Sequence, residues 1–234
     1  MMDFLARARQ TLPRVLLVFA VVAGTPAFAA DWNSLVVGQP VADGTLGIGQ
    51  FSVKLPEGQW TVAAKLEQRL GSQGGATSSP AQLSATVARV KDGAVTGMLT
   101  IRTPATTFVG VRSWNDDPCR GASALVVDTM QQTVFMPECF TVIRYKPEGI
   151  TEATQGYNGQ IASWLKQAGV AFPSKAWRVY YAKYAGGDFV HVYAYVPADT
   201  ESHAAFEAWG RQAAAALQAM VTRGTSQAVL PPLP

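Results

Sequence analysis

Two runs of alternating residues, Trp177–Tyr184 and Phe189–Val196, flank the stretch Ala185-Gly186-Gly187-Asp188. Alternation through both runs with a glycine pair between them specifies an antiparallel β-hairpin, because successive side chains of a strand point to opposite faces and glycine accepts the positive φ of a tight turn. An even-numbered loop sets the pairing: Tyr184 opposes Phe189, Ala182 faces His191, Tyr180 faces Tyr193 and Arg178 faces Tyr195. One face then carries Arg178, Tyr180, Tyr184, Phe189, His191, Tyr193 and Tyr195. The other carries Trp177, Val179, Tyr181, Val190, Val192, Ala194 and Val196 and reads as core. A loop of odd length would exchange the faces, since a one-residue slip reverses every side chain.

The same period governs most of the chain before this hairpin. Phe51, Val53 and Leu55 alternate with polar residues up to a Pro56-Glu57-Gly58 turn, and Trp60, Val62 and Ala64 resume the alternation, as a hairpin or as two strands meeting at a corner. Leu83–Val90 and Ala94–Thr103 flank Asp92-Gly93, which places Val90 opposite Val95, Ala88 opposite Gly97 and Thr86 opposite Leu99. Further strands are expected at Phe108–Arg112, Ala124–Asp128, Thr133–Met136 and Phe140–Tyr145. Gly71–Pro80 is too polar and glycine-rich for anything but a loop.

Two segments change to helical spacing. Asn158 can cap a short helix with Ile161, Trp164, Leu165 and Ala168 on one face and Gly169 as its stop. A longer helix starts near Asp199 or Thr200, repeats Phe206, Trp209, Ala213, Leu217 and Met220, and closes at Arg223-Gly224. The expected class is α+β: a mostly antiparallel sheet, a C-terminal amphipathic helix, one shorter helix and one disulfide. The expected boundaries are a leader at 1–29, a single domain at 30–224 and an extended, Pro-rich tail at 225–234.

The leader follows from charge and hydropathy. Arg7, Arg9 and Arg14 precede the apolar run Val15–Ala23, after which Gly24 and Pro26 break the helix and Ala27-Phe28-Ala29 offers a signal-peptidase site. That run is far short of the ~20 residues that span a bilayer. The reading is a cleavable signal peptide, with the periplasm or release outside the cell as destination and no transmembrane segment in the mature chain. With 48% hydrophobic and 15% charged residues the chain has enough apolar content to fold. Most of its +3 net charge resides in the leader, so the mature chain has no basic field for nucleic acid. Cys119 and Cys139 are the two cysteines, and an exported pair of this kind reads as a disulfide.

Phe51-Ser52-Val53-Lys54-Leu55-Pro56-Glu57-Gly58-Gln59-Trp60 resembles the first strand of the PsbP-like fold, in which an apolar strand runs into Leu-Pro, Gly and Trp. The late strand pair followed by a C-terminal helix is similar as well. The match covers about ten residues, and Cys119 and Cys139 have no counterpart in it. The chain also resembles uncharacterised exported proteins of Gram-negative bacteria, a likeness that carries no activity with it. The PsbP-like resemblance implies an accessory or binding role, because that fold has no common active site.

Chemistry is sparse in the residues themselves. No nucleophile elbow, zinc-protease helix, phosphate loop or EF-hand loop is present, so no cofactor is expected. The candidate ligand surface is Arg178, Tyr180, His191, Tyr193 and Tyr195, with rings to stack, a cation and a polar contact; the alternative is that a helix covers this face. A bridge at Cys119–Cys139 would draw Asp116 and Asp117 toward Glu138, a partial oxygen shell for a cation that reads equally as a capped turn. The function expected is a non-catalytic, envelope-associated binding or accessory protein whose partner is another protein or a small ligand. The alternative is a periplasmic hydrolase using His191 or His203.

Overall fold

The computed structural model describes residues 31–69, 81–107, 118–119, 124–131, 133, 135–197, 202–223 and 227–234. The expected leader, the loop at 71–80, the strand at Phe108–Arg112, Asp116, Asp117, the caps Asp199 and Thr200, and the stop at Gly224 lie outside these residues. In chain order the strands are β1 (Thr45–Ile48), β2 (Phe51–Lys54), β3 (Trp60–Arg69), β4 (Ala81–Lys91), β5 (Ala94–Pro104), β6 (Val126–Gln131) and β7 (Glu138–Tyr145). Helices α1 (Glu148–Thr151) and α2 (Gly156–Ala168), the hairpin β8 (Ala176–Ala185) and β9 (Asp188–Pro197), helix α3 (Ala204–Arg223) and β10 (Gln227–Val229) follow.

One sheet has seven strands in the order β3-β4-β5-β9-β8-β7-β6, antiparallel throughout. A second has three, β1-β2-β10, with β10 parallel to β2. The α+β class, the C-terminal helix and the Cys119–Cys139 bond are those expected. Trp60 and Phe51 fall in different sheets, so Pro56-Glu57-Gly58 is a corner; the Trp60 indole donates to the Pro56 carbonyl across it at 2.7 Å.

The β8–β9 register is the one the alternation implies, with Tyr184 opposite Phe189, Tyr180 opposite Tyr193 and Arg178 opposite Tyr195. The strands run on to Ala185 and Asp188, leaving Gly186 (φ 58°) and Gly187 (φ 88°) as the turn. Two successive positive φ angles explain the glycine pair.

Three local expectations are corrected. Val90 does pair with Val95, but Arg89 then pairs with Gly97, so Ala88 meets Met98 and Thr86 meets Thr100. Thr96 is the extra residue of a β-bulge, held by Arg89 Nε donating to its Oγ1 (3.1 Å) and by its own hydroxyl donating to the Arg89 carbonyl (3.2 Å). Of the strand expected at Thr133–Met136, the described residues Thr133, Phe135 and Met136 lie outside any strand: the Met136 N–H bonds the Thr133 carbonyl and hydroxyl just before Pro137, which has no N–H to give a ladder. Helix α2 begins two residues before Asn158, with Gln155 as its cap, and Asn158 instead donates its amide to the Gly149 carbonyl at 3.0 Å. Its last residue, Ala168, is exposed, while Ile161, Trp164 and Leu165 are buried.

The large sheet is covered on both faces. Phe206, Trp209, Ala213, Leu217 and Met220 of α3 lie buried against Phe140, Trp177, Val179 and Val192, and the small sheet extends the same core. Gly210 lies tight against the sheet: a Cβ there would lie 2.6 Å from Phe140 Cζ and 2.8 Å from Val179 Cγ1. The C-terminal residues are extended and built into the fold, with Leu230 buried and the Trp209 indole donating to the Pro231 carbonyl at 3.0 Å. On the opposite face, α2 packs Ile161, Trp164 and Leu165 onto Ala64, Ala88, Val95 and Met98. Farther along that face the disulfide packs with Tyr180, Ala182, Tyr184 and Phe189.

Candidate functional site

The hairpin face that carries the tyrosines therefore lies opposite the long helix, between α2 and the disulfide. Strand pairing assembles it from five strands. Strand β9 contributes His191, Tyr193 and Tyr195; β8 contributes Arg178 and Tyr180 directly across from them; β5 sets Arg102 opposite His191 and Thr100 opposite Tyr193. Tyr145 ends β7, and Thr86 of β4 lies opposite Thr100. Tyr180 and Tyr193 stack with centroids 4.5 Å apart, and Tyr145 meets Tyr195 edge-on at 4.8 Å.

A cavity of about 190 Å³ opens at the α2 end of this face. Thr100, Arg102, Arg178, Tyr193 and Tyr195 line it from the sheet, and Tyr145 borders it from the end of β7. The first turns of α2 supply Tyr157, Asn158 and Ile161. No carboxylate is among these lining residues.

Its charge distribution is one-sided. The Arg102 guanidinium lies 5.2 Å from the Tyr193 ring centre and 5.6 Å from that of Tyr157. The Arg178 guanidinium lies 5.6 Å from the Tyr145 centre and 5.9 Å from that of Tyr193. Neither arginine forms an ion pair among the described residues, and the Nε of each is buried without an acceptor. Ring contacts attract a guanidinium through the quadrupole but give its N–H groups no acceptor, and a buried donor left unpaired costs about 1–3 kcal/mol.

The phenols stay protonated in this setting. Burial, with Arg178 opposing and Glu148 adding, raises the pKa of Tyr145. Burial likewise raises Tyr157 and Tyr195 well above the ordinary value, so all three remain protonated at neutral pH. Tyr157 is anchored at 2.7 Å to the Thr86 hydroxyl, which is itself 2.7 Å from Thr100. Beyond the cavity, Tyr184 and His191 share a 2.6 Å hydrogen bond. Burial first, and then Arg102, push His191 down to about 3, which makes its imidazole neutral.

All five residues read from the sequence as a ligand surface lie on one face, and Arg178, Tyr193 and Tyr195 reach the cavity itself. Tyr180 is buried and His191 half-buried beside it, next to the disulfide cluster. Helix cover and cavity coexist: α2 roofs one end of the face and leaves room at its first turn. Sequence reasoning missed Arg102, Thr100, Tyr145 and Tyr157. An arginine inside an alternating apolar strand was a signal for Arg102, but nothing local says that β5 lies beside β9.

Glu138 does not join the disulfide. Alternation sends it to the core face, where it accepts from Lys183 Nζ (2.7 Å), the Tyr181 hydroxyl (2.7 Å) and the Gln218 amide (3.2 Å). No group of three potential metal ligands occurs among the described residues. His203 precedes α3 on the far side of the sheet, near Trp177 and 3.9 Å from Glu207. No helix among the described residues is long and apolar enough to cross a membrane. No family model, curated protein or solved structure matches the chain.

Proposed function

We propose that this is a non-catalytic binding or accessory protein of the bacterial envelope, exported to the periplasm by its leader, which holds a small ligand in the tyrosine–arginine cavity beside α2. The observation that carries the reading is the cavity floor: Arg178, Tyr193 and Tyr195, aligned by the hairpin register, meet Arg102 from the neighbouring strand around an open volume. Convergent polar groups in a concave site are what fix a ligand's orientation and specificity. The PsbP-like resemblance of Phe51–Trp60 supports the accessory side of the reading. A hydrolase would need a nucleophile bonded to one of the histidines, whereas the hydrogen-bond partner described for His191 is Tyr184 and the ion-pair partner described for His203 is Glu207.

The test is a thermal-shift screen of small metabolites against the purified protein and its Tyr193→Ala variant. The reading expects at least one compound that raises the melting temperature of the parent and has no effect on the variant. A screen in which every stabilising compound acts equally on both proteins refutes it.

A further inference from the structure

We infer that the ligand of this cavity is a compact doubly charged oxyanion, a short dicarboxylate or a phosphoryl group, gripped between Arg102 and Arg178. The inference rests on the binding role proposed above and adds the chemistry of what is bound. Both guanidinium groups stand within 6 Å of one ring centre, that of Tyr193. Two guanidinium cations thus converge on one ring, and no carboxylate lines the cavity to offset their like charge. A folded protein keeps such a pair where a ligand completes it, because Arg–carboxylate and Arg–phosphate bonds are the strong, geometrically matched ones.

The remaining lining suits the same partner. Tyr145 and Tyr195 add protonated hydroxyls to the lining; the Tyr157 hydroxyl is bonded to Thr86, and Asn158, at the exposed rim, has one amide N–H on the Gly149 carbonyl and a second to give. The alternative, that both arginines are there to stack on tyrosines, leaves two buried Nε–H donors unexplained. Size then restricts the anion. At roughly 30 Å³ for each water in the liquid, the cavity holds about six waters' worth of space. That is room for phosphate or a four-carbon dicarboxylate.

The experiment is isothermal titration of the purified protein, in phosphate-free buffer at low salt, with inorganic phosphate, succinate and the neutral isostere succinamide. One of the two dianions should bind with one-to-one stoichiometry and weaken as salt is raised. Which of them binds distinguishes a phosphoryl from a dicarboxylate ligand. Arg102→Gln and Arg178→Gln should each weaken that binding about 10- to 100-fold. The same variants without ligand should melt no lower than the parent, which a structural role for the arginines would not allow. Binding of succinamide as tight as succinate, or dianion binding untouched by both substitutions, overturns the dianion and leaves the cavity as a ligand site. No heat with any of the three overturns the dianion, and the site itself falls only if the Tyr193-dependent thermal shift is absent too.

Discussion

Gly210 tests how α3 is seated, and the structure sets the size of the effect. The helix crosses β7 and β8 with Gly210 against Phe140 and Val179, so an alanine Cβ would intrude on the Phe140 ring and stand 2.8 Å from Val179 Cγ1. Phe140 is 1% exposed and Val179 2%, and neither has space to retreat into. Overpacking of this kind costs about 1–3 kcal/mol, and a fully enclosed ring places the cost near or above the upper end. Against it stands the helix preference for alanine over glycine, worth about 1 kcal/mol. The packing term wins, and Gly210→Ala should lose about 2 kcal/mol. For a domain of this length that is a fall of roughly 4–8 °C in melting temperature, readable by calorimetry. Phe140→Leu in the same chain should recover part of the loss through a coupling term of about 0.5–3 kcal/mol. A Gly210→Ala protein that melts at or above the parent temperature would show that the helix does not rest where this packing puts it.

Three further perturbations probe the fold around the site. Cys139→Ser should destabilise the protein by about 2–5 kcal/mol, and mass spectrometry of the oxidised parent should find no free thiol. Lys183→Met strands the buried Glu138 carboxylate and should cost about 3–5 kcal/mol by chemical denaturation, whereas Lys183→Met with Glu138→Leu should recover most of that. His191 has a folded pKa near 3, below its ordinary 6.5, so its contribution to stability is complete above pH 6.5 and is lost as the pH falls from there toward 3. The stability difference between the parent and His191→Asn should therefore shrink across that window, and an imidazole titrating near pH 6.5 by NMR would refute the burial argument.

How much of this was legible in the sequence depends on the range over which each feature is determined. The β8–β9 register is a local property: alternation in both strands and two glycines specify it, and Arg178, Tyr180, Tyr193 and Tyr195 came with it. The helix stripe of Phe206, Trp209 and Leu217 is equally local and is buried as read. The other half of the site is not local. Arg102 and His191 are neighbours because β5 pairs with β9, and Tyr157 arrives on a helix with no pairing of its own to declare it. Glu138 failed for a related reason: adjacency to Cys139 in the chain means opposition across the sheet.

The bulge at Thr96 is where local and long-range demands collide, and it decides whether a cationic site exists. In the register set by the Asp92-Gly93 turn alone, Leu99 would oppose Thr86 and Gly97 would oppose Ala88. Thr86 and Ala88 face α2, the first bonded to Tyr157 and the second packed with Ile161. Leu99 and Ile101 would then point at the cavity and Arg102 into the apolar core. Burying two such side chains is worth about 1.5–3 kcal/mol each, whereas a bulge gives up about one ladder hydrogen bond, roughly 1 kcal/mol. The demand to keep Leu99 and Ile101 buried therefore prevails over the turn, and one extra residue restores the faces. The hydroxyl of Thr96 is bonded to Arg89 in both directions, so the inserted residue recovers part of what the ladder loses. Arg102 is delivered to the cavity as the consequence of keeping Leu99 and Ile101 in the core.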